Sequence, residues 1–537
     1  MPFSAGFILA VLAAALASMA ALAGMPGRDI ATMMLLPVLM VLMPLGLRLL
    51  GQAAGRFGAA LYGLWLAAWF AGFVTALGLR LRYGLGPMDE RVVQALAGTD
   101  GREAREYALE LAPLIGLVVL GCGLAGIWGG RYVWRVLAPL PGPALRTRLL
   151  LGPLLAILPL ALHGNAVVER SDPLTLARVV GDEVFSHATE TSALRADRQE
   201  AQRHVAEWRP IYRGPQERVV VLVIGESANR ANWSLYGYPR RTNPRLEALS
   251  DELLVFRDVI SSYGSTAVEL PRMLTLADRE GEHDWRRQPS VINLARRTGY
   301  RTWWITNQSF VLAAAAFGQD CDRFVSVYEG RYGRHDRSLD SKLIPPLEAA
   351  LADPAPLKFI VLHMLGSHPD YVRRYPPLFD IFGHEHDAVD DMLANRWFWV
   401  RQKRNEYDNS ILFTDWVLAS AIEALRQAPQ AEASLFFLSD HGQDVGHFTS
   451  SWGHQFHYES GFTIPALFWK KGQVPDRSFE RRPYQSDRFD TTLLSLLGIR
   501  TLKDDPRYDL MGAAFRPWQR KIDGVDYVPG VSNVPGG

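Results

Sequence analysis

Apolar and polar positions follow two different regimes along this chain. The first third holds five long uncharged runs, Met1–Gly27, Ala31–Leu47, Phe57–Leu79, Leu111–Gly130 and Leu149–Val168. Each approaches or exceeds the ~18–20 residues that a helix needs to cross ~30 Å of hydrocarbon. The pattern predicts an N-terminal five-helix transmembrane domain over residues 1–168. Met1–Gly24 has the Ala-rich end of a signal peptide, but it lacks a basic n-region and further runs follow it, so it reads as a span. From Glu169 to about Gln216 the chain turns polar. Helix-forming stretches at Leu176–Val184 and Ala193–Trp208 predict amphipathic linker helices over 169–216, lying near the headgroups.

Beyond residue 216 the apolar runs shorten and alternate with helical patterns. Strands are predicted at Val219–Ile224, Leu254–Ile260, Tyr300–Thr306, Lys358–Leu362, Ser434–Leu438 and Thr463–Trp469. Helices are predicted at Pro289–Thr298, Leu343–Leu351, Asn405–Gln427 and Asp490–Leu497. This alternation predicts a C-terminal α/β domain, 217–537, with a largely parallel central sheet flanked by helices. Ligand sites in such sheets form beyond the carboxyl ends of the strands. The tail after Asp523 reads as loose.

Charge sets the topology. The segment between the fourth and fifth runs carries Arg131, Arg135, Arg146 and Arg148 without an acid, as a cytoplasmic loop does. Arg48 and Arg56, between the second and third runs, point the same way. The loop Arg80–Glu110 mixes Arg with Asp89, Glu90, Asp100, Glu103 and Glu106, as an outward loop does. With five spans, the N-terminus lies inside and the large domain outside. A net charge of +1 and the lack of a basic block interleaved with aromatics exclude nucleic acid as a partner. The two cysteines, Cys122 and Cys321, stand in different domains and form no disulfide framework. A membrane anchor fused to a water-soluble domain implies chemistry on a membrane-resident substrate.

Three strand ends carry polar residues: Gly225-Glu226-Ser227, the segment His363 to His368, and Ser439-Asp440-His441-Gly442-Gln443. Carboxylate and imidazole are ligands for zinc, which lowers the pKa of a bound oxygen. Alone, a Glu after a strand is an ordinary cap and Asp-His-Gly an ordinary turn; three such ends in one α/β domain point to a metal site. Thr266, in Tyr263-Gly264-Ser265-Thr266-Ala267, has two readings. It caps a helix beginning near Ala267, with Glu269 closing a capping box. Or it is a hydroxyl nucleophile at a helix N-terminus, where the dipole favours a phosphate.

The string Val221–Leu246 (VLVIGESANRANWSLYGYPRRTNPRL) closely resembles the opening of the soluble domain in bacterial phosphoethanolamine transferases, members of the alkaline phosphatase and sulfatase superfamily. The resemblance continues through Gly264–Met273, Trp303–Gln308, His363–His368, Ser439–Gly442 and Thr463–Trp469. It implies a multi-pass enzyme of the bacterial inner membrane with its catalytic domain in the periplasm. That enzyme would move phosphoethanolamine from phosphatidylethanolamine to a lipopolysaccharide acceptor, core heptose phosphate or lipid A, through a phosphothreonine. It implies one zinc ion, with a second as an option. Glu226, Thr266, Asp440 and His441 match the primary zinc site, and Thr266 matches the acceptor of the phosphoethanolamine group. His368, His454, Gln443 and Asn307 match the substrate or second-metal region, where His447 competes with His454. Gln443 stands where many relatives have Glu. The cysteines that flank the threonine in lipid A-modifying relatives are replaced by Tyr263 and Arg272, which resembles the heptose-phosphate branch more closely. The alternatives are a phosphoglycerol transferase or hydrolase of the same superfamily, and a non-catalytic membrane sensor.

Overall fold

The computed structural model describes residues 27–83, 111–140, 144–162, 196–276, 284–308, 317–328, 339–456, 458–522 and 525–529, with scattered positions near 13–25, 105–109 and 194. The chain divides into two compact units, Met1–Ala188 and Thr189–Gly536.

In the first unit, helices α1 (Gly27–Met40), α2 (Leu42–Leu50), α3 (Gln52–Tyr83), α4 (Ala112–Leu137) and α5 (Leu145–Leu162) are described. Among the described residues three stretches are long and apolar enough to cross a membrane: Ile30–Leu50, Gln52–Leu81 and Ala112–Leu137. These three match the second, third and fourth of the five expected spans. Most of the first run lies outside the described residues. The fifth is represented by α5, which opens on Arg146 and Arg148 and is interrupted by Pro153 and Pro159. Most of the loop 84–110, the predicted helix Leu176–Val184 and most of the tail after Asp523 also lie outside the described residues. Helices α3 and α4 meet backbone to backbone. A Cβ on Gly63 would sit 2.5 Å from the Gly126 carbonyl oxygen, and one on Gly126 2.7 Å from that of Gly63. Close approach through small residues is how helices associate where lipid offers no hydrophobic drive. The buried Arg48 donates to the carbonyls of Ala138 and Leu140, satisfying the carboxyl end of α4.

The second unit is built on a seven-stranded sheet. Its strands are β1 (Arg218–Gly225), β2 (Leu253–Phe256), β3 (Arg301–Thr306), β4 (Arg323–Ser326), β5 (Leu357–His363), β6 (Ala433–Ser439) and β7 (Ala466–Lys470), in the spatial order β2-β7-β6-β1-β5-β3-β4. β1 is central and pairs in parallel with β5 and β6. Alternate residues feed two cores. Val220, Leu222 and Ile224 face α6 (Thr266–Leu274), α7 (Val291–Arg297) and α10 (Phe489–Leu496). Val219, Val221 and Val223 face α8 (Ile344–Leu351) and α9 (Phe398–Gln427). Burial on both faces is why β1 reads as an unbroken apolar run instead of alternating.

The sheet is mixed, not largely parallel as the sequence predicts. β7 runs antiparallel to both of its neighbours, β2 and β6. The cause is the connection. A parallel return needs a crossover, usually a helix, along a face of the sheet. Between β6 and β7 the described chain forms only short bridges and a single 3₁₀ turn. It therefore re-enters the sheet from the end at which it left. The predicted strand Leu254–Ile260 also divides at Arg257-Asp258: its first half is β2, while Val259–Ile260 pairs with Tyr484–Gln485 outside the central sheet. Edge strand β4 is mostly exposed and carries no apolar pattern that would have revealed it.

Candidate active site

Three elements bring their polar ends together at the carboxyl edge of the sheet. β1 delivers Glu226 and Ser227, β6 delivers Asp440 and His441, and α6 begins at Thr266. Ser227 lies in the left-handed region at φ 58°, a conformation that costs energy for a residue with a Cβ. Its surroundings hold it there. Ser227 N–H donates to Asp440 Oδ1 over 3.1 Å, and its carbonyl accepts the Tyr407 hydroxyl at 2.6 Å. Gly366, at φ 48°, lets the loop after β5 lie against Glu226, since a Cβ there would fall 2.6 Å from the Glu226 carbonyl oxygen.

Thr266 Oγ1 lies 2.9 Å from Glu226 Oε2 and 2.6 Å from Asp440 Oδ2. One hydroxyl proton cannot serve two carboxylates. Burial, then the charge of Glu226, pushes the Asp440 carboxyl up. Burial works to raise Glu226 too, but the neighbouring imidazoles of His441 and His368, with the Ser227 hydroxyl, hold it well below the usual carboxylate range. Two buried acids meeting at one hydroxyl therefore need a shared positive partner, a proton or a metal ion.

His441 decides what kind of partner fits. Its Nδ1 lies 2.8 Å from the Gly442 carbonyl, which fixes the proton on that nitrogen. Its Nε2, fully buried, has no hydrogen-bond partner and sits 3.5 Å from Glu226 Oε1 and 3.6 Å from Asp440 Oδ2. An unpartnered imidazole nitrogen facing two carboxylate oxygens, one of which also accepts the Thr266 hydroxyl, is a donor set suited to zinc. Glu226, His441 and His454 each offer a ligand atom within 4.8 Å of the others. His454 packs its ring 4.8 Å from that of His441 and 6.2 Å from that of His368, so the three histidines are neighbours.

His447 lies elsewhere. Its Nδ1 accepts from Val445 N–H and its Nε2–H donates to Asn232 Oδ1 at 2.9 Å. Burial, with Arg404 and Arg396 nearby, holds its pKa well below the ordinary histidine value, so it is a neutral structural residue. Gln443 does not present its amide to the space around Thr266. The amide is spanned by Tyr371, whose hydroxyl donates to Oε1 at 2.5 Å, and Ser227, whose Oγ receives Nε2–H at 2.8 Å. Asn307 is likewise turned away, donating to Asp340 Oδ1 at 2.8 Å. Asp340 in turn accepts from the backbone N–H groups of Leu365 and Gly366. The residue that reaches the site is its neighbour Gln308, whose Nε2 donates to Glu226 Oε2 at 3.0 Å and to the Met364 carbonyl at 2.7 Å. Gln308 and Ser227 belong to recognisable strings, but nothing in their spacing marks them as partners of Glu226.

The capping reading of Thr266 does not hold. Ser265 is the N-cap and Thr266 the first helical residue, with its hydroxyl on the carboxylates and not on a backbone N–H. Glu269 closes no capping box with Thr266. It accepts instead from the N–H and hydroxyl of Ser262, from Tyr263 N–H and from Ser486 Oγ, pinning the loop that carries Thr266.

The chain is similar to known proteins. Phosphoethanolamine transferase EptC of Escherichia coli (strain K12) is 33% identical over 326 residues, 58% of this chain and 56% of that protein. The chain thus spans about half the length of the curated relatives it matches. The crystal structure of the C-terminal periplasmic domain of EptC from Escherichia coli in complex with zinc superposes with a TM-score of 0.55 at 29% identity, covering 61% of this chain and 95% of that one. The integral membrane protein lipooligosaccharide phosphoethanolamine transferase A (EptA) from Neisseria meningitidis shares the fold, with a TM-score of 0.57 at 22% identity over 86% of this chain and 88% of that one. Residues 218–499, more than half of the chain, match the family described as Sulfatase, and the chain belongs to that family.

Proposed function

We propose that this protein is a zinc-dependent phosphoethanolamine transferase of the bacterial inner membrane. The observation that carries the reading is Thr266 Oγ1, held at 2.9 and 2.6 Å from two buried carboxylates beside an unpartnered His441 Nε2. Relatives bearing that enzyme name, and a zinc complex of one of them, support it. The anchor is read as five spans with the N-terminus in the cytoplasm, which places residues 217–537 in the periplasm. The donor is phosphatidylethanolamine, and the acceptor is a lipopolysaccharide phosphate or hydroxyl.

Glu226, Thr266, Asp440 and His441 would hold the zinc ion. When bound, zinc stabilises an ionised hydroxyl and the negative charge that develops on a phosphoryl group. The protein's own groups do the rest. Asp440 Oδ2, 2.6 Å away, is placed to take the Thr266 proton as Oγ1 bonds to the phosphorus and the bond to the diacylglycerol oxygen breaks. His454 and His368 stand on the side of His441 where a leaving oxygen could be protonated. In the second half the acceptor oxygen attacks the same phosphorus, the Thr266–phosphorus bond breaks, and the hydroxyl regains its proton. The N-terminus of α6 adds favourable dipole for the phosphoryl oxygens.

The test is a labelled-donor assay on the full chain in lipid, with and without lipopolysaccharide. Transfer of label to the acceptor, and a label trapped on Thr266 without acceptor, are the expected results. Release of free phosphoethanolamine alone would make the protein a hydrolase. Glycerophosphate transfer would make it a phosphoglycerol transferase. No labelled product at all, with intact zinc-free protein, would favour the non-catalytic sensor.

A further inference from the structure

Trp397, Phe398 and Trp399 stand together at the start of α9 with 61%, 65% and 40% of their surfaces exposed. Large aromatic side chains bring more apolar area than any others and ordinarily enter a core. These three belong to neither core of the catalytic unit. They pack on one another: the indoles of Trp397 and Trp399 stack at 5.1 Å, and Phe398 meets Trp399 edge-on at 5.0 Å. Met392, at the end of the preceding helical turn, is exposed as well.

The patch is tied to the edge of the sheet where the candidate site lies. Arg396, directly before it, donates to the carbonyls of Gly446 and His447 and to Ser450 Oγ, in the loop that follows Asp440 and His441. Phe448, in that loop, is itself partly exposed. Of the four basic residues beside the patch, three are engaged within the unit, and Arg401, one turn after Trp397, is half-buried. Arg396 grips the loop, Arg404 donates to the Val445 carbonyl, and Lys403 pairs with Glu406 at 2.9 Å. What the patch offers outward is therefore mainly apolar and aromatic surface, with Arg401 as a single basic group beside it. Tryptophan and its aromatic relatives favour the boundary between lipid tails and water. The same chain supplies three stretches able to cross a membrane, so a bilayer is permanently at hand.

We propose that Trp397, Phe398 and Trp399 insert into the headgroup layer of the membrane that anchors this chain, seating the catalytic unit with its strand-end site at the lipid surface. The inference rests on the membrane stretches and the aromatic patch, and stands apart from the reaction proposed above. Because Arg396, Lys403 and Arg404 are engaged and Arg401 alone adds charge beside the patch, the attachment should hold on zwitterionic phospholipid and change less with salt than a polybasic contact.

The experiment uses the full chain, one copy per nanodisc of phosphatidylcholine and phosphatidylethanolamine. Cys122→Ser and Cys321→Ser provide the background, and Phe398→Cys carries an environment-sensitive fluorophore. Val474→Cys is the control: it is 83% exposed and follows β7, whose end at Lys470 pairs with Ser434 at the start of β6, the opposite edge of the sheet from the site. The label at residue 398 should emit to the blue of the control, and nitroxide-bearing lipid should quench it several-fold more than aqueous iodide does. The label at residue 474 should show the reverse. Quenching of both labels equally by iodide overturns the proposal. So does protection of residue 398 that appears only when a disc holds two copies, which would make the patch a contact between copies. In protein with its native residue at 398, Trp397→Ser with Trp399→Ser should remove part of the tryptophan emission that brominated phospholipid quenches. An unchanged quenched fraction would also overturn it.

Discussion

The amide of Gln443 donates to Ser227 Oγ over 2.8 Å, and that hydroxyl donates onward to Glu226 Oε1 over 2.5 Å. A residue whose place in the sequence suggests direct contact with metal or substrate thus acts through a neighbour. It fixes the serine rotamer, and the serine fixes one oxygen of a candidate zinc ligand.

Gln443→Met keeps the volume and removes both ends of this relay. The Tyr371 hydroxyl is left without its Oε1 acceptor, which costs about 1–3 kcal/mol when buried. Glu226 loses its oriented donor, and partners that orient a metal ligand are worth about 10–100-fold in affinity. Zinc binding measured by competition with a chelator should weaken by that order while the circular dichroism spectrum stays unchanged. Unaltered zinc affinity would reduce Gln443 to a packing residue.

The histidines after Gly442 separate by the same logic. His447 holds Val445 and Asn232 together inside the unit, whereas His454 lies between His441 and His368. His447→Ala should lower stability by about 2–3 kcal/mol, through a cavity and two lost hydrogen bonds. His454→Ala should leave the melting temperature nearly unchanged and depress transfer and zinc retention. Thermal melts and chelator titrations of the two variants side by side check this, and exchanged phenotypes would refute the assignment.

What the sequence disclosed follows from where physical constraint is strongest. β1 was legible because burial on both faces leaves only apolar residues in it, and its end was legible because a Glu directly after such a run needs a reason. Glu226, Asp440 and His441 were legible through polar strand ends, whereas the residues around Thr266 read equally as a helix cap and only the resemblance assigned it to the site; the structure brings the four together. Gln308 in place of Asn307 was not, because which of two adjacent amides turns toward Glu226 depends on the path of the loop after β3, and Asp340 captures the first of them. The direction of β7 was hidden for a similar reason: apolar alternation reports that a strand is buried, not from which end the chain enters it. Glu269 looked like part of a cap, since the Thr-x-x-Glu spacing is the same whether the acid turns back to its own helix or across to Ser486.

Thr266→Ala tests the nucleophile without testing the fold. It leaves Glu226 and Asp440 facing the same space with no hydroxyl between them. Transfer should fall by roughly 10³-fold or more, as when one member of a catalytic unit is removed. The covalent intermediate should vanish while zinc remains detectable. Zinc should still protect the variant thermally, since a ligand at 100 times its Kd adds about 2.7 kcal/mol to stability. A labelled Thr266→Ala enzyme would exclude this residue as the acceptor.

Glu269 gives a pH signature independent of zinc. Burial, with the charge of Asp487 adding to it, raises this carboxyl from 4.5 to about 7 despite the hydrogen bonds it accepts from Ser486, Ser262 and Tyr263. A folded-state pKa above the unfolded value means that the native protein holds the proton more tightly. The stability Glu269 contributes is therefore complete below pH 4.5 and is lost as the pH rises through about 7. Glu269→Gln keeps an oxygen for the Ser262 and Tyr263 donors, offers its amide to Ser486 Oγ, and cannot ionise. Relative to the parent, the variant should become more stable on going from pH 5 to pH 8, by on the order of 2 kcal/mol. Melting the two proteins across that range by tryptophan fluorescence checks it, and parallel curves would show that the Glu269 carboxylate is accommodated in the folded unit without cost.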